Sequence, residues 1–142
     1  MDENAESTFW GLLHDGGLEA ITGTVPGTVS VRISIQYLRQ QFPTKGAGFK
    51  IDLLDCKRFV YQEYDSSPLE DFDAIVALEP EIVSAEKGTE SVIVNCVMGT
   101  LTIDYGAASI YLDSGAPVSF DELTTASRTY WDDWAARSAN HK

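Results

Sequence analysis

The stretch Thr28-Val29-Ser30-Val31-Arg32-Ile33-Ser34-Ile35 alternates strictly between small or polar residues and β-branched apolar ones. A period of two is the signature of a strand with one face in the core and one in water. A helix would need the apolar residues three and four apart. This octet therefore sets the fold class as β-rich. Just before it stands Pro26-Gly27, a turn pair in which proline presets one dihedral and glycine permits the next. Leu18–Val25 on the other side then reads as its antiparallel neighbour.

Further strands follow at short intervals. Phe49–Leu54 and Arg58–Tyr64 flank Asp55-Cys56-Lys57. Ile82–Glu86 and Ser91–Val97 read as a hairpin around Lys87-Gly88-Thr89-Glu90, and Thr100–Tyr105 with Ser109–Leu112 as another around Gly106 and Ala107. About eight short strands this closely spaced predict an α+β protein built on an antiparallel sandwich or partly open barrel. A short N-terminal helix and a longer C-terminal helix complete it.

The helices announce themselves by caps. Ser7 or Thr8 can start a short helix reaching His14, with Phe9, Leu12 and Leu13 on one side and Gly16-Gly17 as its stop. Tyr37–Phe42 gives one helical turn before Pro43. Ser67-Pro68-Leu69-Glu70 has the form of a capping box, with Phe72, Ile75 and Val76 as the buried stripe and Pro80 as the end. The strongest start is Ser119 with Glu122, framed by Val118 and Leu123 at the positions of a hydrophobic staple. Leu123, Ser127, Tyr130, Trp131 and Trp134 then recur at three- and four-residue steps. They predict a helix from about Phe120 to about Arg137 whose face carries Trp131 and Trp134 into the core. Residues 1–142 read as one domain, with 1–6 a loose tail and 138–142 a frayed end.

Charge sets the character of the surface. The chain of 142 residues has a formal net charge of −12. Six of its ten cations (Arg32, Arg39, Lys45, Lys50, Lys57, Arg58) fall in one segment with two acids, a local net of +4, leaving −16 for the rest. Such a field repels nucleic acid and anionic membranes and attracts basic partners. Arg32, outward on its strand, is expected to pair with an acid across the sheet. The start, Met1-Asp2-Glu3-Asn4-Ala5-Glu6, lacks the basic and apolar parts of a secretory signal, so a cytoplasmic protein with reduced cysteines is expected. Cys56 and Cys96 are too far apart for a zinc ribbon or a CxxC redox site and read as small buried hydrophobes.

Few residues suggest chemistry. His14-Asp15 is the one place where a histidine and a carboxylate adjoin, as a general base or a metal site would use them. A charged histidine near a helix C-terminus is explained by the dipole alone. Glu70-Asp71-x-Asp73 lacks the glycine and distal glutamate of an EF-hand loop and fits a helix start. Gly46-Ala47-Gly48 lacks the Gly-Lys-Ser/Thr of a P-loop. Trp131-Asp132-Asp133-Trp134 combines the usual interface anchors with negative charge. No cofactor and no metal is implied.

Phe9-Trp10-Gly11-Leu12-Leu13-His14-Asp15-Gly16, then Gly23-Thr24-Val25-Pro26-Gly27 and Tyr37-Leu38-Arg39, resemble a group of small bacterial proteins with no assigned function. Leu78-Glu79-Pro80-Glu81-Ile82 and Tyr130-Trp131-Asp132 are similar to it as well. The resemblance implies a bacterial source and carries no functional residue. In size and acidity the chain is also similar to immunity proteins that block basic nuclease toxins. The functional expectation is a non-enzymatic acidic protein that binds a basic protein partner, in the manner of an immunity protein, through Glu70, Asp71, Asp73, Asp132 and Asp133. The alternative is a small-ligand-binding barrel with a pocket lined by Tyr61, Tyr105 and Tyr111. The third is an enzyme using His14 with carboxylates. Homodimerisation is compatible with all three.

Overall fold

The computed structural model describes residues 5–88 and 91–139, with side chains for 8–88 and 91–137. The alternating octet becomes β2 (Gly27–Ser34), with Val29, Val31 and Ile33 buried. It lies between β1 (Gly17–Gly23) and β3 (Gly48–Cys56). Beyond β3 come β8 (Ala107–Leu112) and β9 (Pro117–Val118), completing a five-stranded sheet of order β1-β2-β3-β8-β9. A four-stranded sheet of order β4-β7-β6-β5 faces it, formed by β4 (Arg58–Glu63), β5 (Ile82–Lys87), β6 (Val92–Cys96) and β7 (Gly99–Asp104). All pairings are antiparallel. The fold is thus a two-sheet α+β sandwich and not a closed barrel.

The two sheets meet at a double corner. Lys57 alone separates β3 from β4, and Tyr105-Gly106 separates β7 from β8, yet each pair is split between the sheets. The expected hairpin over Thr100–Leu112 is therefore not formed: β7 pairs with β4 and β6, and β8 with β3 and β9. The two crossings bond to each other, Lys57 N–H to Asp104 C=O at 2.7 Å and Gly106 N–H to Leu54 C=O at 2.8 Å. Strands that switch sheets at such corners are the usual way to join packed sheets. A side chain at Gly106 would press on Asp55 Cβ at 3.3 Å, which suits glycine there.

Among the described residues four helices close the sandwich. α1 (Ala5–Gly11) packs on β5 and β6, and with the turn after it buries Phe9, Trp10 and Leu13. It begins earlier than its cap signal implies, so Ala5 and Glu6 are helical rather than tail, and the remainder of that tail, 1–4, lies outside the described residues. α2 (Gln36–Arg39) is a single turn, as expected. α3 (Phe72–Ala77) packs on β1. It starts after Asp71, not at Ser67, and neither Ser67 nor Glu70 caps it. Leu69 is instead held by Tyr61 through two backbone bonds, N–H to O at 3.0 and 2.8 Å, which pulls the segment into extended form. Tertiary pairing here overrides a local cap signal.

α4 (Phe120–Ala139) follows its cap as expected. Ser119 N–H donates to Glu122 Oε1 and Glu122 N–H to Ser119 Oγ, both at 3.0 Å. Val118 and Leu123 are buried as the staple requires. The stripe does not continue as expected. Leu123, Ala126 and Ser127 are buried, Tyr130 and Trp131 half-buried, and Trp134 is 50% exposed. Residues 132–137 are exposed all round, so Trp134 is not a core residue and Trp131 only borders the core. Of the end expected to fray, 138–142, residues 138 and 139 are still helical and 140–142 lie outside the described residues, as do Thr89 and Glu90 between β5 and β6.

The basic segment is not one surface. Arg39 is fully buried. Its Nε donates to Asp113 Oδ1 at 2.9 Å, and its other nitrogens to Thr44 C=O at 2.7 Å, Thr44 Oγ1 at 3.1 Å and Lys45 C=O at 3.0 Å. Asp113 also accepts from Ala47 N–H at 2.8 Å and Gly48 N–H at 3.2 Å. This clamp pins the 40–48 loop to the end of β8. A Cβ at Gly46 would sit 2.2 Å from Asp113 Oδ1 and 2.5 Å from the guanidinium, so the clamp leaves no room there for a side chain. Burial pushes the Asp113 carboxyl up. The Ala47 N–H, the Arg39 guanidinium and the Gly48 N–H outweigh it and hold the group below its ordinary range. Arg32, expected to face an acid, stands opposite Ala20 and Lys50. Lys50 takes the acid instead, 3.5 Å from Asp52.

Candidate functional site

Three surfaces stand out, and they differ in chemistry. The first lies where α1, α2 and α4 converge. His14 sits in the turn after α1, half-buried, with Nδ1 2.9 Å from Gly11 C=O. A carbonyl can only accept, so Nδ1 carries the hydrogen and satisfies one of the helix's last carbonyls. Tyr37, from α2, donates its hydroxyl to His14 C=O at 3.0 Å and lies 3.4 Å from Nε2. The imidazole stacks on Trp131 (centroids 5.5 Å apart, planes at 21°), and Tyr37 packs on Tyr130 at 4.5 Å. Trp131 in turn meets the half-exposed Trp134 edge-on at 6.0 Å. Five rings from three elements thus form one continuous cluster whose outer end is open.

Carboxylates border this cluster. Asp15 follows His14 and joins Glu19, Glu79 and Glu81 in lining one open depression of about 650 Å³. The fold assembles them from distant parts of the sequence. Asp15 N–H donates to Ile82 C=O at 2.7 Å, Leu18 N–H to Pro80 C=O at 3.0 Å, and Gly17 bridges Glu81. The register slip between Leu18 and Ala20 makes Glu19 the extra residue of a β-bulge, which re-aims its side chain. No ion pair among the described residues involves any of the four. Asp15 and Glu79 both have positive φ, 71° and 52°. Glu79 follows the α3 C-cap, the place where glycine is usual and a larger residue is strained. Asp15 also acts on the rings by its charge: burial first, then the charge of Asp15 and then Tyr130 push the Tyr37 phenol up.

The second surface holds Glu70, Asp71 and Asp73, all exposed, at the start of α3. They line a depression of about 670 Å³ that Lys57 and Arg58 also line. Its charge is mixed, so these three acids do not form a uniformly negative patch. Asp132 and Asp133 are exposed on α4 beside the ring cluster, so the five acids singled out from sequence belong to two surfaces rather than one. Asp15 was marked in the sequence only as the neighbour of His14, and Glu19, Glu79 and Glu81 escaped sequence reasoning. The sequence marked Pro80 between two of them only as a helix end, and long-range bonds bring the four together.

The third surface is an open groove of about 650 Å³ along β8, bordered by Phe9, Tyr105 and Phe120. Of the tyrosines expected to line one pocket, Tyr105 and Tyr111 border this groove. Tyr61 lies in the core between the sheets. Tyr105 accepts a hydrogen bond from Trp10 Nε1 at 3.1 Å, while Tyr111 lies under Lys50, 5.6 Å from its ring centre. The three therefore do not share a cavity within the sandwich.

Neither thiol is displayed at the surface. Burial pushes the Cys96 thiol up to about 12 and raises Cys56 as well, which keeps both protonated near neutral pH. Both are free and buried. Among the described residues no group of three or more His, Cys, Asp or Glu is placed to hold a metal ion, and no helix is long and apolar enough to cross a membrane. No protein-family model matches the chain, and neither a search of curated proteins nor one of solved structures finds a match.

Proposed function

We propose that this protein is an acidic interaction module that binds a basic protein partner through the ring-and-carboxylate face of α1, α2 and α4. The observation that carries the reading is that Asp15, which lines the depression with Glu19, Glu79 and Glu81, directly follows His14 of the ring cluster and acts by its charge on Tyr37. Tryptophan and tyrosine rings are the commonest interface anchors. A ring face beside carboxylates is the environment a lysine or arginine side chain seeks, through cation–π attraction and charge. Asp132 and Asp133 extend the negative field along α4. Glu70, Asp71 and Asp73 add to the long-range field that steers a cationic partner, and their contact role is offset by Lys57 and Arg58. The immunity-like reading is a special case in which the partner is a basic toxin.

His14 does not favour the enzymatic reading. One ring nitrogen is committed to Gly11 C=O, and the other faces the Tyr37 hydroxyl. The imidazole here packs and links elements.

A pull-down from the source cells at low and high salt, with the chain and with a Trp134→Ala/Asp15→Asn/Glu81→Gln variant, tests the proposal. A basic protein held by the unaltered chain, weakened by salt and lost from the variant, is the expected result. Equal retention by both would move the site elsewhere, and a salt-insensitive or acidic partner would end the electrostatic reading.

A further inference from the structure

We propose that the open edge of β8 at Ala107-Ala108-Ser109 is a second binding site, which takes an extended, uncharged segment of a partner protein with basic flanks as an added strand. β9 covers only part of β8, pairing with Ile110 and Tyr111. Among the described residues no strand pairs with the outer edge of Ala107-Ala108-Ser109. The ladder fixes which groups face outward. Asp113 N–H donates to Gly48 C=O next to β3, whereas Leu112 N–H donates to Ala116 C=O on the β9 side. Alternation along the strand then sends the N–H and C=O of Ala108 outward, in line with those β9 uses.

Two other edges are protected in part. β5 carries the exposed Glu86 and Lys87, and charge on an edge strand discourages pairing. β1 is bonded near its start to Pro80 and Glu81. The β8 edge has neither device. Its side chains are small, Ala107 and Ala108 are exposed, and the groove beside it is bordered by Phe9, Tyr105 and Phe120, the last 41% exposed. Among the described residues no Asp, Glu, Lys or Arg lines that groove, in a chain with 23% charged residues and a net charge of −12. A neutral apolar groove beside free backbone groups suits an extended segment with apolar alternate residues, bound as in strand addition. The surrounding negative field selects basic flanks on that segment. It also disfavours a second copy of this acidic chain as the occupant.

The test is a titration of the ¹⁵N-labelled full chain with the peptide acetyl-Lys-Val-Thr-Val-Lys-amide, alongside its Glu-flanked counterpart. The expected result is saturable amide shifts confined to residues 106–111 and 118–120, at least fivefold weaker for the acidic-flanked peptide. Ala108→Pro removes the outward N–H at a position where an edge strand tolerates proline, and should weaken binding at least tenfold. Phe120→Asp leaves the β8 backbone intact and should weaken it at least threefold, so a misfolded proline variant does not decide the matter. Absent shifts, shifts on the ring-and-carboxylate face alone, equal binding by both variants, or sedimentation showing a dimer paired through β8 would each overturn the proposal. Because the groove and that face are separate sets of amides, the two readings fail separately.

Discussion

Arg39 and Asp15 both carry charge near the ends of helices, yet the fold treats them in opposite ways. Arg39 is fully buried, and its guanidinium donates to a carboxylate, a hydroxyl and two carbonyls. Asp15 is exposed, held at positive φ, and shares its depression with three more carboxylates. A buried charge is tolerable only when its hydrogen bonds are filled. Like charges gathered on a surface at some local strain gain nothing for stability, so their arrangement asks for another reason. The comparison separates charge that holds the fold from charge that is available to a partner.

The largest effect should come from breaking the clamp. Asp113→Ala strands the Arg39 charge, and loss of one partner of such a pair costs about 3–5 kcal/mol, readable as a lowered urea midpoint by circular dichroism. A loss under 1 kcal/mol would mean that the carbonyls alone hold Arg39. Acid acts on the same pair. The folded-state carboxyl of Asp113 lies below its ordinary value of 3.8. Its contribution is thus present above that value and disappears as pH falls through the depressed one. The stability gap between the unaltered chain and Asp113→Asn should therefore narrow as pH falls below 3.8.

Glu79→Gly sharpens the contrast by changing sign. Glycine relieves the left-handed backbone at the end of α3, so stability should rise by about 1 kcal/mol while affinity for a cationic partner falls. A destabilised variant would show that Glu79 supports the fold. Ser119→Ala removes the α4 cap and should cost about 1 kcal/mol, with the capping bond to Glu122 as its cause. The smallest change is expected on the open face. Trp134→Ala should move stability by less than about 0.5 kcal/mol, because the indole is half exposed, while partner binding drops at least tenfold. A large loss of stability would return Trp134 to the core.

Local signals were legible wherever local bonds decide the outcome. The octet at Thr28–Ile35 and the Ser119–Glu122 cap both carry their partners within a few residues. The division of strands between sheets was not legible. Asp55-Cys56-Lys57 and Gly106 look the same whether they turn a hairpin or a corner, and what distinguishes them is the bonding of Lys57 to Asp104 and of Gly106 to Leu54. The Ser67 cap signal lost to Tyr61 for the same reason. At the candidate face, Trp131 and Trp134 were visible as anchors. Their periodicity suggested burial, because helical spacing does not tell how far along α4 the body extends. The four carboxylates were invisible as a group, since Asp15 and Glu81 meet through long-range backbone pairing of residues 15–18 with 80–82.

The three tryptophans occupy three different environments, and that partition gives the molecule a built-in optical readout. Trp10 is sealed in the core and hydrogen-bonded to Tyr105, Trp131 is half-buried against His14, and Trp134 faces water. Emission from an indole in water lies to the red of one in an apolar surrounding. Covering the open end of the ring cluster would thus shift the Trp134 contribution to the blue and leave that of Trp10 in place. Global loosening would shift both to the red. The direction of the spectral change alone distinguishes a partner's arrival from damage to the fold, without any label.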